Sequence, residues 1–106
     1  MFAAQDWIRL KMHVVGKETV EDFLKHHDEV RQDVSELIRD LEAKRFTTPS
    51  ELIARYPAAR VLDGKRVVFK IRGNKYRLCA IVAYHTGVMV IDFVGTHAQY
   101  DRQKLR

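Results

Sequence analysis

The chain has 106 residues, 46 % apolar and 31 % charged, which predicts a single folded domain spanning 1–106 with a core of its own. Its one cysteine, Cys79, excludes an internal disulfide and a cysteine-based zinc site, and its longest apolar run, Leu78 to Tyr84, is far short of the ~18 residues that cross a bilayer. Of the net charge of +5, residues 1–59 contribute −2 (nine Lys/Arg, eleven Asp/Glu) and residues 60–106 contribute +7 (ten Lys/Arg, three Asp/Glu). A basic second half favours a polyanionic partner, most simply nucleic acid; the plainer reading is a surface kept soluble by charge.

Ile8, Leu10, Met12 and Val14 alternate with Arg9, Lys11 and His13, the period of a strand with one face on a core, and Gly16 closes it. Thr19 and Asp22 form a capping pair for a helix presenting Val20, Phe23, Leu24 and His27. Asp28 is the expected cap of a second helix, with Val30, Val34, Leu37, Ile38 and Leu41 on one stripe. Thr48-Pro49-x-Glu51 starts a short third helix, stopped by Pro57. From Arg60 the pattern changes to strands: 60–62, a turn at Asp63-Gly64, 66–72, a turn at Gly73-Asn74, 76–84, a turn at 85–87, and 88–94. Gly95 ends the last strand and leaves a short tail. The fold class is α+β: a twisted antiparallel sheet of about four strands, with two N-terminal helices and a short third helix on one face.

A tight turn at Gly73-Asn74 sets Lys70 opposite Arg77 and Phe69 opposite Leu78. Strand parity then puts Val67, Phe69, Ile71, Tyr76, Leu78 and Ala80 on the core face. It puts Arg72, Lys75, Lys70 and Arg77 together on the other. Opposed cations on neighbouring strands are unfavourable by up to ~1 kcal/mol per pair, a cost that makes sense if a phosphate sits among them. The alternative is that the long stems splay into water. A two-residue loop at Thr86-Gly87 places Arg77 opposite Thr96, so His97 and Tyr100 emerge beside the cations. An imidazole takes or gives a proton near neutrality, and a tyrosine stacks on a base or orients a phosphate.

Gly73-Asn74-Lys75-Tyr76-Arg77-Leu78, followed by Phe93-Val94-Gly95-Thr96-His97-Ala98-Gln99-Tyr100-Asp101, resembles the HigB family of type II toxin–antitoxin systems, which are RelE-like mRNA interferases. The likeness runs from Met12 to Asp101 and makes residues 1–11 an N-terminal extension. It implies a RelE-like fold and a cytoplasmic, metal-independent endoribonuclease without cofactors. The substrate 2′-OH would attack its own 3′-phosphate, often on the ribosome, leaving a 2′,3′-cyclic phosphate. By the same resemblance Arg77 stabilises the phosphorane, and Lys70 neutralises that phosphate or lowers the base's pKa. His97 is general acid or base, and Tyr100 orients or stacks on the substrate; Arg72, Lys75 and Arg66 would bind RNA. Family members commonly carry a carboxylate where Gln99 stands, so no proton transfer is assigned there. The implied partners are mRNA and a HigA-type helix-turn-helix antitoxin. Two other functions fit the same fold: inhibition of a protein such as DNA gyrase, as in the ParE branch, or nucleic-acid binding without cleavage.

Overall fold

A computed structural model of the chain describes residues 11–63 and 65–103. The expected strand start at Ile8, residues 1–10 of the 1–11 extension and Gly64 of the Asp63-Gly64 turn lie outside the described residues. Strand β1 (His13–Val15) leads into α1 (Lys17–Leu24), a 3-10 turn (Asp28–Val30), α2 (Arg31–Glu42) and α3 (Pro49–Arg55). Strands β2 (Arg60–Leu62), β3 (Arg66–Ile71), β4 (Tyr76–Ala83) and β5 (Val88–Thr96) follow, and α4 (His97–Gln103) closes the described chain.

The sheet has five strands in the order β1-β5-β4-β3-β2. This corrects the expectation of about four antiparallel strands, because β1 joins as an edge strand running parallel to β5, with Val14 beside Met89. The helices between them supply the crossover that a parallel pair requires. One face of the sheet (Val67, Phe69, Ile71, Leu78, Ala80, Val82, Met89, Ile91 and Val94) packs on Val20, Leu24, Val34, Ile38 and Leu41 from the helices. These are the apolar stripes read from the sequence.

Local signals decide the helix boundaries. The α1 cap is not Thr19 but Gly16, at φ 94, and the helix starts at Lys17. A Cβ at Gly16 would stand 2.3 Å from the Ile91 carbonyl oxygen, so only glycine lets β1 turn into α1 this close to β5. Asp28 caps no helix by its side chain; it accepts from Arg31 Nε at 2.7 Å. The α3 start is as the sequence predicts: Thr48 Oγ1 accepts from the Glu51 amide at 3.2 Å, with Pro49 in the first turn. Glu51 answers by accepting from the Thr47 amide at 2.7 Å, and this contact holds its carboxyl below the ordinary range.

Asp40 of α2 ties α3 to the helical layer. It accepts a short hydrogen bond from the Tyr56 hydroxyl and another from Arg55 Nη2 at 2.8 Å. The Tyr56 bond is the main cause holding the Asp40 carboxyl below its usual value, while burial and that carboxylate push the Tyr56 phenol up. A carboxyl depressed by folding stabilises the native state above its unfolded pKa of about 3.9, and loses that contribution as pH falls through its lower folded value. Asp40→Asn is therefore expected to lower the urea midpoint at pH 7 and to lose less than the wild type between pH 4 and pH 2; a parallel acid limb in both proteins would contradict this.

Candidate functional site

The β3–β4 register follows the sequence reading: Lys70 pairs with Arg77, Phe69 with Leu78 and Ile71 with Tyr76. Lys70 and Arg77 therefore share the face turned away from the core cluster, with Val68 and Cys79 next along it. Cys79 is fully buried, and burial first, then Asp92, pushes its thiol up to about 12, far from a thiolate at neutral pH.

The four-cation cluster is smaller than strand parity predicts. Ile71–Tyr76 is the last β3–β4 pair, and Arg72 lies past it at φ 52. That left-handed step turns its side chain to the helical layer, where Nε contacts Asp33 Oδ2 at 2.5 Å and Nη2 donates to the Glu29 carbonyl at 2.7 Å. Lys75 is exposed in the turn, and its carbonyl accepts from the His97 amide at 2.8 Å. Arg66 shares the second face with Arg77 but is paired with Asp92 at 2.7 Å. Lys70 is exposed, and no hydrogen bond engages its ammonium among the described residues.

The β4–β5 register is shifted by one from the sequence reading: Arg77 faces Gly95, and Thr96 faces Tyr76. The turn takes more residues than Thr86-Gly87, and a bulge then opens between Cys79 and Ala80, which pair with Phe93 and Ile91 and leave Asp92 as the extra residue. The bulge puts Phe93 beside Tyr100, with ring centroids 6.2 Å apart.

The segment expected to be a tail is the helix α4. Thr96 and Gln99 form its capping box: the Gln99 amide donates to Thr96 Oγ1 at 3.2 Å, and Gln99 Oε1 accepts from the Thr96 amide at 2.8 Å. The Thr-x-x-Gln signal was present in the sequence, and it gives Gln99 a structural task. A Cβ at Gly95 would stand 2.6 Å from Phe93 Cζ and 2.8 Å from Gln99 Oε1, so a larger residue there would push the Phe93 ring and the capping amide aside.

Residues three apart on a helix share a side, so α4 turns His97 and Tyr100 the same way. The Arg77 guanidinium carbon lies 5.2 Å from the Tyr100 ring centroid, a cation–π contact. Nδ1 of His97 is 2.9 Å from Asp101 Oδ2, one turn on, which leaves Nε2 as the ring's outward nitrogen. Sequence reasoning assigned no role to Asp101 or to Asn74, whose Oδ1 accepts from Arg77 Nη2 at 3.0 Å.

Arg77 is 6 % exposed, the one buried charged residue among those described. Its Nε is sealed from water without an acceptor, and no carboxylate lies within ion-pair distance among the described residues. Taking a cation out of water costs several kcal/mol when no anion compensates it. The arrangement combines a buried guanidinium backed by an aromatic face, an ammonium on the adjacent strand, and an imidazole at the start of the next helix. Among the described residues no group of three His, Cys, Asp or Glu could hold a metal ion, and no helix is long and apolar enough to cross a membrane.

Because an unpaired buried cation burdens the native state, Arg77→Met is expected to raise the unfolding free energy by about 1–3 kcal/mol in urea titration. A loss of stability of that size would show that the cation is compensated within the protein.

Residues 30–103 match the family described as "HigB_toxin, RelE-like toxic component of a toxin-antitoxin system". The chain is similar to the mRNA interferase toxin HigB of Escherichia coli, 27 % identical over 93 residues that cover 85 % of this chain and 88 % of that protein. The mRNA interferase HigB of Shigella flexneri matches with the same identity and coverage. The match spans α2 through α4 and takes in the whole arrangement around Arg77: the chain belongs to the HigB family of RelE-like toxins.

Proposed function

We propose that the protein is an mRNA interferase, the toxin of a toxin–antitoxin pair, and that RNA is cleaved on the second face of the sheet. The observation that carries the reading is the buried Arg77 guanidinium, which lacks an anion of its own and stands beside Lys70 and Tyr100. A protein that only inhibits another protein has no reason to bury a cation in this way. The names of the Escherichia coli and Shigella relatives support the same activity.

In this mechanism the substrate 2′-OH is the nucleophile, so the protein supplies position, charge and proton transfer. The scissile phosphate takes the missing counter-anion position at Arg77. As the 2′-oxygen bonds to phosphorus and the 5′-oxygen departs, the extra negative charge on the phosphorane is met by Arg77, with Lys70 adding a point charge from β3. His97, oriented through Nδ1 by Asp101, presents Nε2 for one of the two proton transfers. Tyr100 holds the guanidinium plane on one side, and its hydroxyl is free to orient the strand. The products are a 2′,3′-cyclic phosphate and a 5′-hydroxyl. No metal enters the scheme. Arg72, held by Asp33, is a poorer RNA contact than Lys70 or Lys75. In this reading the substrate is mRNA on the ribosome, the silencing partner is a HigA-type helix-turn-helix antitoxin and the toxin acts in the cytoplasm; family membership supports the toxin–antitoxin pairing.

Induction of the wild type is expected to arrest growth and create new in-frame mRNA 5′ ends, while Arg77→Ala and His97→Ala are tolerated with mRNA intact. Arg77→Ala that still arrests growth with mRNA untouched would transfer the assignment to a protein target. Strong salt-dependent binding of RNA that stays intact would leave a binding module.

A further inference from the structure

We infer that Asn74 is a positioning residue for the RNA site: it holds Arg77 with a neutral amide so that the cation's whole charge stays available to the substrate phosphate. The inference rests on the nuclease reading above and adds a residue to it. The turn that carries Asn74 is fixed at both ends. The Lys75 amide donates to the Arg72 carbonyl at 3.2 Å, and the Lys75 carbonyl accepts from the His97 amide at 2.8 Å. Within that turn Asn74 Oδ1 takes the Nη2 proton of Arg77 at 3.0 Å. The guanidinium also meets the Tyr100 ring, and its Nε has no acceptor among the described residues. An amide oxygen and an aromatic face thus fix the plane of the fork without cancelling its charge.

An aspartate at residue 74 has nearly the same shape and could accept the same hydrogen bond. It would also pair with Arg77 as a carboxylate from the exposed turn, a charge-assisted contact that takes up the cation's charge within the protein. The neighbouring cations show the contrast: Arg66 and Arg72, which do have carboxylate partners, have their charge used within the fold. Arg77 has none among the described residues, and the side chain nearest its fork is uncharged.

The test uses the full chain and a fully 2′-O-methylated single-stranded oligoribonucleotide of mixed sequence, which binds but cannot be cleaved. Affinity is measured across a salt series. Each phosphate neutralised contributes about 0.7 to the slope of log affinity against log salt for a single strand. Asn74→Asp is expected to reduce the slope by about that amount, to weaken binding by roughly tenfold or more, and to raise the unfolding temperature. Asn74→Ala removes the hold and adds no charge, so the slope is expected to stay at the wild-type value while the affinity falls by a smaller factor. Thr86→Asp, in the turn at the other end of β4, adds the same charge away from Arg77 and is expected to leave the slope unchanged. An Asn74→Asp slope equal to wild type overturns the assignment, as does an equal fall in Thr86→Asp. If Asn74→Asp fails to fold, an Asn74→Ala slope that drops by a full phosphate overturns it alone. A wild type that binds the oligonucleotide without salt dependence would overturn the nuclease reading itself, a result distinguishable from normal wild-type binding with unaltered variants.

Discussion

A largely buried guanidinium without a carboxylate partner among the described residues is the constraint around which the C-terminal half of this protein is arranged. Its desolvation costs several kcal/mol, a sizeable fraction of the net stability of a domain this size, and the groups that touch it are neutral. The amide of Asn74, the ring of Tyr100 and the bare backbone at Gly95 meet that condition. On the proposed reading such a pocket is held in readiness: the electrostatic work of removing water from the cation is done in folding and would not be repeated on phosphate binding.

Three local devices deliver the partners to that cation. The β3–β4 turn supplies Lys70 and Asn74, the bulge at Asp92 brings Phe93 beneath Tyr100, and the Thr96–Gln99 box starts the helix that carries His97 and Tyr100. The first two are features of strand pairing and the third is a capping motif, so a compact site is assembled from elements that fold by separate rules. The helical layer holds several charges in internal pairs, Arg72 with Asp33, Arg55 with Asp40 and Arg31 with Asp28 and Glu21.

Much of this was legible in the sequence, and the failures have identifiable causes. Alternation from Arg66 to Ile71 and from Tyr76 to Ala83, with Gly73-Asn74 between, gave the correct register because one face had to be buried. The same parity, carried past the last bonded pair, misdirected Arg72, since a residue in a left-handed step no longer obeys strand alternation. The four-residue turn between Ala83 and Val88 moves the register by two from the expected pairing, and the bulge at Asp92, which looks like ordinary alternation in a half-exposed strand, restores one, so Arg77 faces Gly95 and not Thr96. Helix α4 went unrecognised although its Thr-x-x-Gln start was visible, because seven residues after a glycine read as a frayed end. The roles of Asn74 and Asp101 depend on which side chains meet across a turn and along a helix, and a spacing by itself does not reveal that.

The parallel seam between β1 and β5 has a bearing on biosynthesis. It joins the earliest described strand to the last, so its closure waits on the most remote partner along the chain. Tyr100, which covers the Arg77 plane, is made later still. A nascent polypeptide emerging from the exit tunnel therefore has its first three helices synthesised well before the surroundings of Arg77 can be completed.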